Sequence, residues 1–232
     1  MKLKFITTAL LVSASLFSAT AASAHYLWIE QPVKGNAIIH FGEFNEGVIE
    51  HSPGRMDEMP SIEAFGGATP LSVAKQADRF LLSAHTGVAP ITAQELDYPV
   101  KDWRANGIGL AKPMFYARFG VATSPTLDLD ILPAADGTSA QVFLHGKPLP
   151  SAAYSLHAPN GWSQSGKADA DGQIRLGLPW RGQYLVEVIQ LEKAPGSYQG
   201  AAYDVLRHRT TLTLIQPRGA STFAVPLASH HE

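Results

Sequence analysis

The chain has 232 residues, with 18 basic and 20 acidic side chains, a formal charge of −2 and no cysteine. These values exclude disulfides, thiolate-held metal and a basic nucleic-acid-binding face. They leave room for one large domain or two small ones, stabilised by an ordinary apolar core.

Lys2 and Lys4 are the only charges in the first 24 residues, and an apolar run from Phe5 to Phe17 follows them. Ala22-Ser23-Ala24 then places small residues where a signal peptidase cuts. This is the layout of a secretory signal peptide occupying 1–24. The apolar run is shorter than the ~20 residues a bilayer-spanning helix needs. An exported, periplasmic protein with peripheral or no membrane contact is expected. Cleavage after Ala24 would leave His25 with a free α-amine beside its Nδ1, a ready chelate closing a six-membered ring on one ion. That amine has a pKa of ~7.7–8.0 and yields its proton readily to a metal. One more imidazole would complete a three-nitrogen site suited to Cu(II), with Ni and Zn next. Leu27 at the third mature position rules out the square-planar backbone-amide motif.

Beyond the signal, Gly and Pro punctuate short β-branched and aromatic runs. Strands are expected at residues 36–44, 114–122, 140–146, 152–159, 173–178, 182–192, 209–217 and 221–227. A short helix is expected around Ala93–Leu96, and no long segment has a 3.6-residue period. A boundary falls near Pro125–Pro133. The expected organisation is an N-terminal β-rich domain at 25–128, a small β-sandwich with a closing strand at 129–217, and a C-terminal strand and tail at 218–232. The fold class is all-β, with two β-sandwich (Ig-like or prealbumin-like) modules.

Within the second module, Gly146-Lys147-Pro148-Leu149, Asp169-Ala170-Asp171-Gly172 and Gly182-Gln183-Tyr184-Leu185-Val186 resemble the carboxypeptidase-regulatory-like and transthyretin-like sandwiches. Asp169–Gly172 also matches part of a calcium loop. Gln173 and Ile174 follow, without the downstream Glu such a loop needs, so a hairpin turn is expected.

The histidines carry most of the chemistry. His208 sits between Arg207 and Arg209 just before a strand, either facing a site or lying at an exposed strand edge. His40 and Glu43 are three apart in a strand and point to opposite faces unless Gly42 breaks the alternation. His51 lies in a loop with Met56 and Met59, His85 ends an apolar run, and His230 and His231 end the chain. His145 and His157 read as surface residues of the small sandwich. There is no Gly-x-Ser-x-Gly elbow, no His-Glu-x-x-His helix and no glycine-rich phosphate loop, so no enzyme is expected.

The segments "AHYLWIEQP", "IIHFGEFNEGV", "KPMFYARFG" and "YDVLRHRTTLTL" occur in order across residues 22–217. In them the chain resembles a bacterial family of periplasmic proteins often described as nickel- or cobalt-uptake components. The resemblance implies two β-sandwich halves and metal handling, with His25, Glu43 and His208 at matching positions. The expected function is a transition-metal-binding accessory protein. It would hold Ni, Co or Cu at His25 and His208, with His40 or Glu43, and pass the ion to a membrane metal transporter. The alternative is a non-metal adhesion or assembly module. A copper-dependent oxidative enzyme is a third reading, since such enzymes also begin with histidine.

Overall fold

In the strand Val205–Gln216, consecutive residues from Arg207 to Thr213 are buried, so both faces are covered. A strand in that condition belongs to a middle layer. The computed structural model describes residues 25–33, 36–83 and 90–229. The expected signal segment, His85, His230 and His231 lie outside these described residues.

Three sheets are stacked around this strand. In the central one, Val205–Gln216 runs parallel to Gly109–Phe119, with Met114 opposite His208, and antiparallel to Gly182–Glu192. Ala153–His157 and Ser163–Lys167 extend it on one side, and Ile91–Glu95, Glu63–Gly66 and Thr69–Leu71 on the other. The first sheet is built on Asn36–Glu43, which pairs with Tyr26–Val33, Val48–Ile49 and Phe80–Leu82. It covers one face of the central sheet, with Leu27, Ile29 and Phe41 packed on Ala93, Phe115 and Ala117. The third sheet contains Leu129–Pro133, Ser139–Leu144, Lys147–Pro148 and Gln173–Arg175. It covers the other face, with Leu129, Ile131 and Val142 against Tyr116, Val186 and Leu212.

The protein is therefore all-β and built as stacked sheets. Apart from Ala228–Ser229, which joins the first sheet from the C-terminal end, the sequence boundary near 125–133 separates the first sheet from the third. The central sheet draws strands from both sides of that boundary, because Val205–Gln216 inserts between Gly109–Phe119 and Gly182–Glu192.

Tyr26–Val33 pairs through one edge only, with Asn36–Glu43. Side chains of the closing strand meet its other edge. Arg209 Nη1 donates to the His25 carbonyl at 2.8 Å, Thr211 Oγ1 to the Leu27 carbonyl at 2.6 Å, and Thr213 Oγ1 to the Ile29 carbonyl at 2.7 Å. All three pairs are 184 residues apart. Side chains thus satisfy carbonyls that an edge strand would otherwise leave for water or another chain.

Two local expectations are corrected. The helix expected around Ala93–Leu96 is a strand, Ile91–Glu95, paired on both sides. Its Ala-Gln-Glu composition favours helix, but Ala93 stands opposite Ala64 and Ala117 where the two sheets meet, and tertiary pairing overrides propensity. The strand expected at 221–227 is irregular; the C-terminal pairing is Ala228–Ser229 alongside Val48–Ile49. Asp169–Gly172 is a turn, with Asp169 Oδ1 accepting from the Asp171 and Gln173 amides.

Candidate metal centre

Alternation along the closing strand assigns each side chain to a layer. Arg207, Arg209, Thr211 and Thr213 face the first sheet, while His208, Thr210 and Leu212 face the third. His25 lies on the first-sheet side, so His25 and His208 stand on opposite faces of the central sheet. His40 is separate again. Its strand neighbour Phe41 stacks near His25, with ring centroids 5.5 Å apart, whereas His40 turns to the other side of its own sheet. There Nε2 lies 2.9 Å from Glu30 Oε2, the Trp28 ring is 5.1 Å away, and Nδ1 has no partner among the described residues. The expected set of His25, His208, His40 and Glu43 therefore does not converge on one point. Gly42 leaves the alternation intact, so His40 and Glu43 point to opposite faces.

His25 and Glu43 do approach, at 3.6 Å from Nδ1 to Oε1. Glu50 binds the opposite ring nitrogen, Nε2. Carboxylates on the two ring nitrogens cannot share one ion with that imidazole. Arg55 Nη1 also donates towards Nδ1, at 3.4 Å, placing positive charge where the amine chelate would hold a cation. Burial lowers the His25 pKa in spite of Glu50.

A second group of ligands surrounds His208. Its Nε2 lies 2.9 Å from Glu192 Oε2, and His145 Nε2 lies 3.1 Å from the same oxygen. One ligand atom from each of His145, Glu192 and His208 falls within 4.8 Å of the others. Ligands held ~2.1 Å from a tetrahedral ion lie roughly 3.4 Å apart, so small side-chain adjustments would seat one. Two imidazoles and a carboxylate suit Zn, Cu, Ni or Co.

Each residue is positioned by the fold. His208 is 1% exposed in the middle of a central strand, and Glu192 ends the neighbouring strand. His145 arrives from the third sheet, on the hairpin turn joining Ser139–Leu144 to Lys147–Pro148. Its φ is 48° and that of Gly146 is 74°, the two positive values of a type I′ turn. The first slot of such turns favours Asn, Asp or Gly, and histidine is among the residues that tolerate its positive φ. The Asp128 carbonyl accepts from the His145 amide at 2.7 Å, and Asp128 Oδ1 is 3.6 Å from His145 Nδ1.

Behind His208 lies an outer layer of the kind metal sites use. Tyr116 stacks on the imidazole at 12°, with its hydroxyl 3.1 Å from Nδ1. After burial, the negative charge of Asp128 is the next cause of that hydroxyl's raised pKa. In the tautomer whose Nδ1–H donates to the Tyr116 hydroxyl, the Nε2 lone pair is free for an ion. Burial lowers the His208 pKa, which favours that neutral ligand form. The hydrogen bond that His145 donates to the Glu192 carboxylate raises the His145 pKa.

His145 is exposed, as the sequence leads one to expect, but its approach to Glu192 and His208 is not expected from the sequence. The available signal was His-Gly standing where a two-residue hairpin turn favours Asn-Gly. Met56 and Met59, which share the His51 loop, are fully buried in the first core.

No protein-family model matches the sequence, and no curated protein does. Among solved structures, the FN1–FN3 domains of chicken CNTN1 are similar at 9% identity and a TM-score of 0.22. The match covers 79% of this chain and 64% of that chain. At that TM-score the likeness assigns neither fold nor function.

Proposed function

We propose that this is an exported β-sandwich protein that binds a divalent transition metal at His145, Glu192 and His208 and delivers it to a membrane transporter. The observation that supports the reading most directly is the convergence of two imidazole Nε2 atoms on one Glu192 oxygen, backed by Tyr116 on the His208 side. Three protein ligands leave coordination positions open, and His145 is 47% exposed at the side chain. Such a site can load and release its ion, as delivery requires. Export and the transporter rest on the expected signal segment and on the family resemblance.

Calorimetric titration with Cu(II), Ni(II), Co(II) and Zn(II) tests the site. Wild-type protein should bind one equivalent of at least one of these ions, and His145→Ala and His208→Ala should each weaken binding by 10-fold or more. The same titration on chain beginning at His25, with and without one added residue in front, separates this site from the amine chelate. Binding that vanishes with the added residue and survives His208→Ala would move the metal to His25. No binding to any of the four ions would favour an adhesion or assembly module.

A further inference from the structure

Three arginines are almost wholly buried: Arg118 at 0% exposure, Arg209 at 2% and Arg207 at 9%. Two have carboxylate partners. Arg118 Nε donates to Asp130 at 2.7 Å, and Arg209 Nε to Glu187 at 2.6 Å. Arg207 has none: among the described residues no carboxylate lies in ion-pair range of its guanidinium, and no side-chain hydrogen bond reaches it. Its one close polar contact is with the Trp103 indole, whose ring centre is 5.0 Å from Cζ. A buried charge without a counter-ion is unfavourable by several kcal/mol, which is why such groups are nearly always paired.

The arginine lines a cavity of about 310 Å³ on the first-sheet side of the central sheet. Its walls are Phe41, Tyr98, Trp103 and Phe115. Three of these rings form one cluster, with Tyr98 and Phe115 centroids 5.2 Å apart and Phe41 and Phe115 centroids 5.7 Å apart. His25, Arg55, Lys101 and Glu58 complete the cavity's lining. Glu58, the acidic member, is already held by the Tyr98 hydroxyl and by Lys101 Nζ at 2.8 Å. A guanidinium that meets an indole and has no other partner keeps N–H groups available for a planar, two-toothed acceptor.

From this geometry we infer that the cavity binds a small aromatic carboxylate, with its carboxyl group on the Arg207 fork and its ring against Trp103, Phe115 and Phe41. The anion supplies the counter-charge that Arg207 lacks. The ring takes the apolar wall, and a cavity at the lower end of the ~300–1,000 Å³ ligand range holds one or two rings. This site is independent of the metal centre, since Arg207 and His208 face opposite sides of the strand.

Isothermal titration with benzoate and indole-3-carboxylate tests the inference, with acetate and benzyl alcohol as probes lacking the ring or the charge. At least one aromatic acid should bind at one equivalent, and at least 10-fold more tightly than either control. Arg207→Met should reduce that affinity 10-fold or more. Thermal melting of the ligand-free variant supplies an independent readout. Removing an unpaired charge while keeping the side chain's length should leave Tm unchanged or raise it. The inference is overturned if neither acid binds, if acetate binds as well, if Arg207→Met binds the acids normally, or if that variant melts well below wild type.

Discussion

The imidazoles of His145 and His208 stand nearly perpendicular, at 87°, with centroids 5.8 Å apart, and both offer Nε2 to one oxygen of Glu192. One comes from a hairpin tip of the third sheet and the other from the middle of the central sheet. Their meeting depends on how those two layers pack, so it tests the fold as well as the site. Tyr116 supports only the His208 side. Tyr116→Phe should therefore retain metal binding but weaken it by ~10–100-fold, as outer-layer changes do. Calorimetry against the best-bound ion, with melting to confirm folding, checks this.

Metal should also stabilise the fold. An ion at 100 times its Kd adds about 2.7 kcal/mol to a protein that binds it only when folded. Tm should rise on adding the bound ion, and the rise should disappear in His208→Ala. A rise that persists in that variant would place the ion elsewhere.

Thr210 and Thr211 are neighbours in one strand, and both are fully buried. Thr211 Oγ1 donates to the Leu27 carbonyl, while Thr210 Oγ1 has no partner among the described residues. The same isosteric change should act in opposite directions. Thr211→Val strands a buried carbonyl and should cost about 1–3 kcal/mol. Thr210→Val removes an unsatisfied hydroxyl and should be neutral or stabilising. Urea denaturation midpoints of the two variants decide it; equal losses would contradict the assignment of faces.

Arg118 and Asp130 are both 0% exposed. Asp130 also accepts from the amides of Thr126 and Ile131, at 2.8 and 2.9 Å. Asp130→Asn leaves the guanidinium buried and uncompensated, and should cost about 3–5 kcal/mol. Replacing both residues with apolar ones of similar size should recover much of the loss, measured in the same denaturation series.

Glu95 is buried against the first core. Its Oε1 accepts from the Asp97 amide at 2.8 Å, and its Oε2 has no partner among the described residues. Burial, the largest cause, pushes its pKa up to about 7 from the ordinary 4.5. The folded state therefore holds this proton at pH values where the unfolded chain has lost it. As pH rises from 4.5 to 7, the group's contribution turns against folding, and the penalty is complete above 7. Glu95→Gln removes the titration. The variant should gain on wild type across that window, by an amount on the order of 2 kcal/mol at pH 8. Melting curves at pH 5 and pH 8 test the sign; a gap that narrows at pH 8 refutes it.

Much of the architecture was legible in the sequence. Alternating apolar residues in Gly182–Glu192 and the Asp169–Gly172 turn announced strands and hairpins. Both-face burial of Val205–Gln216 was not legible, because charged Arg207 and Arg209 disguise a middle-layer strand as an edge. That strand decides the site. His208 was picked out for its flanking arginines, but its partners come from Glu192, 16 residues earlier in the chain, and from a turn assigned to the surface. The Ala93–Leu96 stretch was misread for the related reason that helix-favouring residues sat where two sheets needed small side chains.

The rungs from Arg209, Thr211 and Thr213 to alternate carbonyls of the first strand act as a ratchet on the closing strand. Displaced by a single position, the Arg207-His208-Arg209 triplet would invert, presenting an imidazole to the aromatic chamber and a cation to the ligand cluster. The two proposed sites, on the neighbouring residues Arg207 and His208, are kept apart by rungs whose hydroxyls touch neither of them.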